Sequence, residues 1–280
     1  MEFATKLMER TGKGYVSYSA LKYAADGSRD QDMKLFELYM KGLLKKESAA
    51  LDFGGLYDTL LLEPEKVTDR YHVLYDSQIK AELDAKHDNF KSPRASKAWK
   101  EDYDSWLTSE LKFAEGKTII DEESINMAES MILRLDESEV LDMTTGEIRS
   151  VRSYLTGTAQ VEINDWIGDV PIRGFLDVLG RDEKFVTDSK TTRSLYGFKY
   201  DVDKFNYDIQ AYIYTEVTGI KDFYWVAQSK SVPYTCAVYK ASDFTLRRGE
   251  QKFWSAIANI QNWLDNPTKD TSSFAIYSEI

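Results

Sequence analysis

Apolar residues recur every three or four positions through the first half of the chain and every second position after Gly157, so helices are expected first and strands later. Ser17-Tyr18-Ser19 precedes a helix expected to take Ser17 or Ser19 as its N-cap. Met33, Phe36, Tyr39, Met40 and Leu43 make one apolar stripe on a helix expected over 30–46. The stretch from Phe53 to Pro64 reads as a buried helix in which Gly54 and Gly55 allow close backbone approach and Pro64 ends the element. Residues 65–118 turn polar and Lys-rich, with Trp99, Trp106 and Phe113 as anchors, and read as a helical insertion. An amphipathic helix over 121–135 follows, with Ile125, Ala128, Ile132 and Leu135 on one face.

The alternating half predicts strands over 159–165, 170–179 and 184–189, a helix over 203–217, then strands over 223–228 and 235–239. Phe253, Ile257, Ile260 and Leu264 mark a closing helix stopped by Pro267. This order predicts an α/β fold in one domain, 1–280, with a mixed central sheet and flanking helices; 157–240 holds the core strands and the motif helix.

With 42% hydrophobic and 13% aromatic residues in 280, the chain can bury a large core, which excludes disorder and collagen-like structure. No run of 18 apolar residues occurs, and Met-Glu-Phe-Ala-Thr-Lys lacks the charged-then-apolar order of a secretory signal. A cytoplasmic protein without membrane contact is expected. The single cysteine, Cys236, forms no internal disulfide and supplies no zinc or iron–sulfur ligand set; a small hydrophobe in a strand is its expected role. The net charge of −11 argues at first against nucleic acid, whose affinity comes from Lys and Arg displacing counterions.

Candidate chemistry lies in the strands. In Phe185-Val186-Thr187-Asp188-Ser189-Lys190 the strand period sets Asp188 and Lys190 on one face. A carboxylate there suits Mg²⁺ or Mn²⁺, and the neighbouring ammonium can position water or neutralise charge developing on a phosphate; a surface ion pair is the plainer reading. Asp177 interrupts the apolar run Ile172, Phe175, Leu176, Val178, Leu179, and a turn at Arg181-Asp182-Glu183 would bring it across the ladder from Asp188. Two adjacent carboxylates repel, so a shared metal is the economical explanation. On the following helix Gln210 and Tyr214 project together, in a stripe begun by Tyr207, beside the apolar Phe205, Ile209, Ile213 and Val217.

These residues resemble the RecB-like branch of the PD-(D/E)xK nuclease superfamily. Gly174-Phe175-Leu176-Asp177 matches its G-x-x-D, Asp188-Ser189-Lys190-Thr191 its D-x-K-T, and Gln210 with Tyr214 its Q-x-x-x-Y. Within the branch the chain is most similar to the C-terminal nuclease domain of RecE (exonuclease VIII) and phage relatives, through Ser19-Ala20-Leu21 (S-x-L) and the segment from Gly54 to Leu61-Leu62-Glu63-Pro64. The resemblance implies a restriction-endonuclease-like core and Mg²⁺-dependent (or Mn²⁺-dependent) hydrolysis of DNA. The implied ligands are Asp177, Asp188, the carbonyl of Ser189 and Asp58. Lys190 would orient the attacking water, with Gln210 and Tyr214 holding the lysine or the strand, and Thr191 beside them. Asp58 stands where relatives carry a metal-binding histidine: a direct ligand, a ligand through water, and a buried polar residue are its three readings. Glu162 lies where some relatives use an acidic residue. Cys236 alone separates the chain from members with iron–sulfur clusters.

Relatives degrade the 5′-ended strand of linear duplex, leave 3′ tails for a single-strand annealing protein and form rings. The implied setting is double-stranded DNA ends and a homo-oligomer in the cytoplasm of a bacterium or a phage-infected host cell. A structure-selective or nicking endonuclease, and a non-catalytic DNA-end or protein-binding module, are the rival readings. Arg193 and Lys199, just after the motif, are placed by sequence to meet a phosphate. Two basic clusters, Lys41, Lys45, Lys46 and Lys91, Arg94, Lys97, Lys100, read as DNA contacts or as solvated helix faces, Trp99 and Trp106 as base wedges or core, and His72 and His87 as solvated. Positive potential is needed only along a channel, so the acidity predicts weak, salt-sensitive binding per protomer and a ring to sustain digestion.

Overall fold

In the computed structural model, helix α1 (Glu2–Thr11) buries Phe3, Leu7 and Thr11, spaced four apart. The structure describes residues 2–44, 49–143 and 145–266. Lys45, Lys46 and Pro267, singled out above, lie outside them. Two compact units divide the chain: Met1–Lys46, Ser138–Ser231 and Thr235–Ile280 form the first, and Glu47–Glu137 with Val232–Tyr234 the second.

In the first unit α2 (Tyr18–Leu21) starts after Ser17, which is extended as an N-cap should be, although its side chain makes no capping bond. Helix α3 (Met33–Met40) is shorter than the expected 30–46. Asp32 caps it, accepting from the amides of Lys34 and Leu35, and Gly42, at φ 70°, turns the chain out of the helix.

The second unit begins with α4 (Ala49–Leu62), then α5 (Val67–Arg70), strand β1 (Tyr71–Leu74), α6 (Asp76–Lys86), α7 (Lys97–Phe113), β2 (Thr118–Asp121) and α8 (Glu122–Asp136). It differs from the expected helical insertion over 65–118, being longer and holding β1 and β2 as a parallel pair. Of the two glycines in α4, Gly55 is in close contact: a Cβ there would lie 3.0 Å from the Tyr71 hydroxyl, whereas Gly54 has open space. Trp99 is core, stacked on Tyr103 at 5.2 Å and donating to Asp84, and Trp106 packs on the same ring. Phe113, expected as an anchor, is 72% exposed. Neither histidine is a free solvated residue: His72 pairs with Glu110 at 2.7 Å, and buried His87 with Asp102 at 2.8 Å. On α8 the buried residues are Ile125, Ala128, Met131 and Leu135, so Met131 takes the place expected for Ile132.

Returning to the first unit, a small hairpin, β3 (Glu139–Leu141) and β4 (Ile148–Ser150), precedes the main sheet. That sheet is β5 (Gly157–Ile167), β6 (Val170–Gly180), β7 (Val186–Thr192), β8 (Phe223–Ser229) and β9 (Cys236–Lys240), in that spatial order. Among the described strands of this sheet only β7 and β8 pair in parallel, their crossover being α9 (Phe198–Lys204) and α10 (Tyr207–Thr218). The mixed sheet with helices is thus as the sequence indicates. The single helix expected over 203–217 is instead two, because Asn206 adopts a left-handed φ of 58° and breaks the run. Half-buried Cys236 lies in β9.

Every residue of α10 from Asp208 to Thr215 is buried, the signature of a helix inside the core. It packs on α11 (Asp243–Asp265), where a Cβ at Gly249 would come within 2.0 Å of the Asp208 carbonyl oxygen. Fully buried Asp208 pairs with Arg248 and, at 2.9 Å, with Lys252, which fixes the two helices in register.

Candidate functional site

Strand β6 is unevenly paired on the edge away from β5. Val16 bridges Ile172 there, and β7 joins only at Val178↔Thr187 and Leu179↔Val186. Among the described residues, 174–177 has no strand on that edge, so the sheet opens beside Asp177. The turn leading to β7, Arg181–Glu183, holds Asp182 and Glu183 at positive φ. Asp177 and Asp188 are the next facing positions beyond the last ladder pair.

Side chains satisfy the backbone groups that the opening leaves unpaired. The Asp177 carboxylate accepts from the Ser189 amide at 2.8 Å, and the Tyr214 hydroxyl donates to the Phe175 carbonyl at 2.8 Å. At Gly174 a Cβ would lie 3.4 Å from that hydroxyl, so glycine leaves room for the Tyr214 ring.

Asp188 is 1% exposed. Its Oδ1 accepts from Gln210 Nε2 at 2.7 Å, while Oδ2 lies against the Lys190 ammonium and accepts no other hydrogen bond. Lys190 Nζ also donates to the Ser189 carbonyl at 3.2 Å and sits 5.0 Å from the Tyr207 ring centroid. Burial, reinforced by the charge of Asp177, pushes the Asp188 carboxyl up to about 7 against the opposing pull of Lys190 and Gln210. Burial alone would lower Lys190, but the charges of Asp188 and Asp177 outweigh it and hold the ammonium well above its ordinary value. An ion pair would ordinarily lower its acid; here desolvation and a second carboxylate reverse that, and one ammonium serves two acids.

This donor set fits a hard divalent cation. Two facing carboxylates, one with an oxygen that only the Lys190 ammonium engages, and a backbone carbonyl offer oxygen only, and Mg²⁺ is commonly bound through one or two carboxylates while keeping several waters. Among the described residues no cluster of three or more His, Cys, Asp or Glu suited to a metal occurs, so water would complete the shell.

Residues 17–273 match the family described as PDDEXK-like domain of unknown function (DUF3799). The chain belongs to this PDDEXK-like family. Its fold is similar to the crystal structure of a "Putative exonuclease" from Eubacterium rectale, at 15% identity and a TM-score of 0.60, covering 99% of this chain and 94% of that one. A second solved structure, SSO0001, matches at 13% identity with a TM-score of 0.30, over 80% of this chain and 90% of its own. Among curated proteins none matches. Family membership and the site together support a nuclease.

In this PDDEXK-like domain Asp177, Asp188, Ser189, Lys190 and Gln210 lie together, joined by the contacts described above. Tyr214 reaches them through the Phe175 carbonyl. Thr191 is half-buried opposite Gln228, and Arg193 is exposed in the loop beyond β7. Glu162 is exposed on β5, its carboxylate taken by Arg173 at 2.8 Å. Asp58 is half-buried on α4 of the second unit. Of the basic clusters, Lys41 pairs with Glu37, Arg94 binds Asp84 through two nitrogens, and Lys97 lies 3.5 Å from Glu101. Sequence reasoning missed Tyr18, whose hydroxyl donates to the Phe205 carbonyl at 2.7 Å and whose phenol is pushed well up by burial against the pull of Lys190. Its one signal is its place beside the Ser19-Ala20-Leu21 motif.

Proposed function

We propose that the protein is a metal-dependent DNA exonuclease that degrades linear duplex from its ends, 5′→3′, leaving 3′ single-stranded tails for an annealing partner. The convergence of Asp177, Asp188 and Lys190, with Gln210 gripping Asp188, is the observation that carries the reading. A Mg²⁺ ion (or Mn²⁺) held by Asp177, Asp188 and the Ser189 carbonyl would supply Lewis-acid polarisation of the phosphoryl oxygen and a bound water of lowered pKa. Lys190 orients the attacking water and offsets charge growing on the phosphate. Gln210 fixes the Asp188 rotamer, and Tyr207 and the Ser189 carbonyl direct the ammonium.

With a net charge of −11 each protomer binds DNA weakly, which favours a ring of subunits enclosing the substrate. No helix among the described residues is long and apolar enough to cross a membrane; the resemblance alone sets the action in the cytoplasm of a bacterium or an infected cell.

The test is Mg²⁺-dependent nucleotide release from linear duplex against covalently closed circles, with Asp188→Ala as the control. Release from linear DNA alone, lost in a folded Asp188→Ala protein, is expected. Equal attack on circles makes it an endonuclease, and no release by wild type leaves a binding module on the same fold.

A further inference from the structure

Lys190 stands at the inner end of a run of aromatic rings that reaches the surface. The Tyr207 ring beside it lies 5.7 Å from Phe205, which is 38% exposed. The helix just upstream, α9, is two-faced. Phe198 and Val202 are buried, and Phe198 stacks on Tyr239 at 4.9 Å, which anchors the helix to the sheet. Lys199, Tyr200 and Lys204 occupy the outer face, and Tyr196 stands in the turn just before the helix.

Tyr196 is 86% exposed and Tyr200 62%. The Lys199 ammonium bridges them, 5.9 Å and 4.9 Å from their ring centroids, and Lys204 lies 5.1 Å from that of Phe205. A single exposed ring needs no explanation, but three on one short segment, interleaved with lysines, are a pattern. Asp203 on the same helix is neutralised by Lys252 and Arg248, whereas no ion pair engages Lys199 or Lys204 among the described residues. In a chain of net charge −11, these lysines without ion pairs set positive charge beside exposed rings.

We infer that the outer face of α9, together with Tyr196 in the turn before it, is a stacking platform for single-stranded DNA, receiving bases of the strand whose phosphate lies at Lys190. The inference rests on the nuclease reading and names the form in which substrate meets the site. Base pairing and stacking in a duplex conceal the base faces, whereas an unpaired strand offers them to rings while its phosphates meet the lysines; this combination is how sequence-tolerant single-strand surfaces work.

The test measures binding of a fluorescent oligothymidylate in EDTA, where no hydrolysis intervenes, by wild type, Y196A/Y200A and Y196F/Y200F, with thermal melting to check folding. Affinity is expected to fall roughly tenfold per ring in the alanine variant, the size of one base–aromatic stack, and to be retained in the phenylalanine variant. An abasic strand with the same number of phosphates is expected to bind wild type weakly and to ignore both substitutions. Equal affinity of all three proteins for oligothymidylate, or an equal loss on the abasic strand, overturns the platform. Because binding is read without metal, failure of the nuclease reading appears separately, as absent Mg²⁺-dependent nucleotide release.

Discussion

Gln210 Nε2 donates to Asp188 Oδ1 across 2.7 Å, tying the central helix α10 to the motif strand β7. The carboxylate is therefore held by an amide carried on a helix that is buried from Asp208 to Thr215.

Gln210→Ala is expected to lower turnover about 10- to 100-fold, the usual range for a group that orients a metal ligand, while the fold persists. Gln210→Glu should be worse, because it sets a third carboxylate against Asp188 and Asp177. A Mg²⁺ titration of DNA cleavage separates weakened metal affinity from slower chemistry; wild-type kinetics for Gln210→Ala would remove the orienting role.

Lys190→Ala leaves two acids without their shared cation in the core. Removing one partner of a buried pair costs about 3–5 kcal/mol, so the metal-free variant should unfold at lower denaturant than wild type, and Mg²⁺ should restore part of the difference. Turnover should remain low with metal present, since the ion replaces the charge but not the donor. Equilibrium denaturation with and without Mg²⁺ reads the first effect and DNA cleavage the second.

Gly249→Ala tests the contact between α10 and α11. The added carbon would meet the Asp208 carbonyl oxygen at 2.0 Å, so the helices must part. Overpacking of this kind costs about 1–3 kcal/mol or more, and the displacement should reach Gln210 on the same helix. A fall in both melting temperature and turnover is expected, although Gly249 touches no reacting group.

Glu63 supplies a pH signature in the second unit. Burial pushes its carboxyl upward, but Lys66 and Arg70, the latter at 2.8 Å, outweigh it and hold the acid below its ordinary range. A lowered folded-state pKa contributes stability above the unfolded value, about 4.3, and that contribution is lost as pH falls through the folded value. Relative to Glu63→Gln, wild type should be more stable at neutral pH by about 1.5–3 kcal/mol, the size of a charge-assisted hydrogen bond. Denaturation at several pH values should show the gap closing in acid; a gap independent of pH would sever it from ionisation.

The motif half of the site was legible because strand periodicity is local: Asp188 and Lys190 share a face through spacing alone, and a separation of 11 positions from Asp177 to Asp188 suits a hairpin. What the ladder does between them is not local. Its early end at Val178 reflects strand splay and the Val16 bridge, so the roles of Tyr214 as a donor to the Phe175 carbonyl and of Asp177 as acceptor from Ser189 were hidden. The break at Asn206 was hidden for a related reason. Its left-handed backbone accompanies a hydrogen bond from the Asn206 side-chain amide to the Ser28 hydroxyl, 178 residues away, and no helical periodicity reports that partner. Tyr18 likewise reaches Phe205 across 187 residues.

The burial of α10 separates two kinds of change. A substitution between Asp208 and Thr215 must satisfy the sheet, α11 and the acid–lysine pair together, so few replacements are free there. The outer face of α9, a few residues upstream, touches none of these. Substrate preference can therefore be redesigned, or can drift, along Tyr196, Lys199, Tyr200 and Lys204 while the hydrolytic residues stay as they are, and a library confined to those four positions should yield folded proteins far more often than one placed on α10.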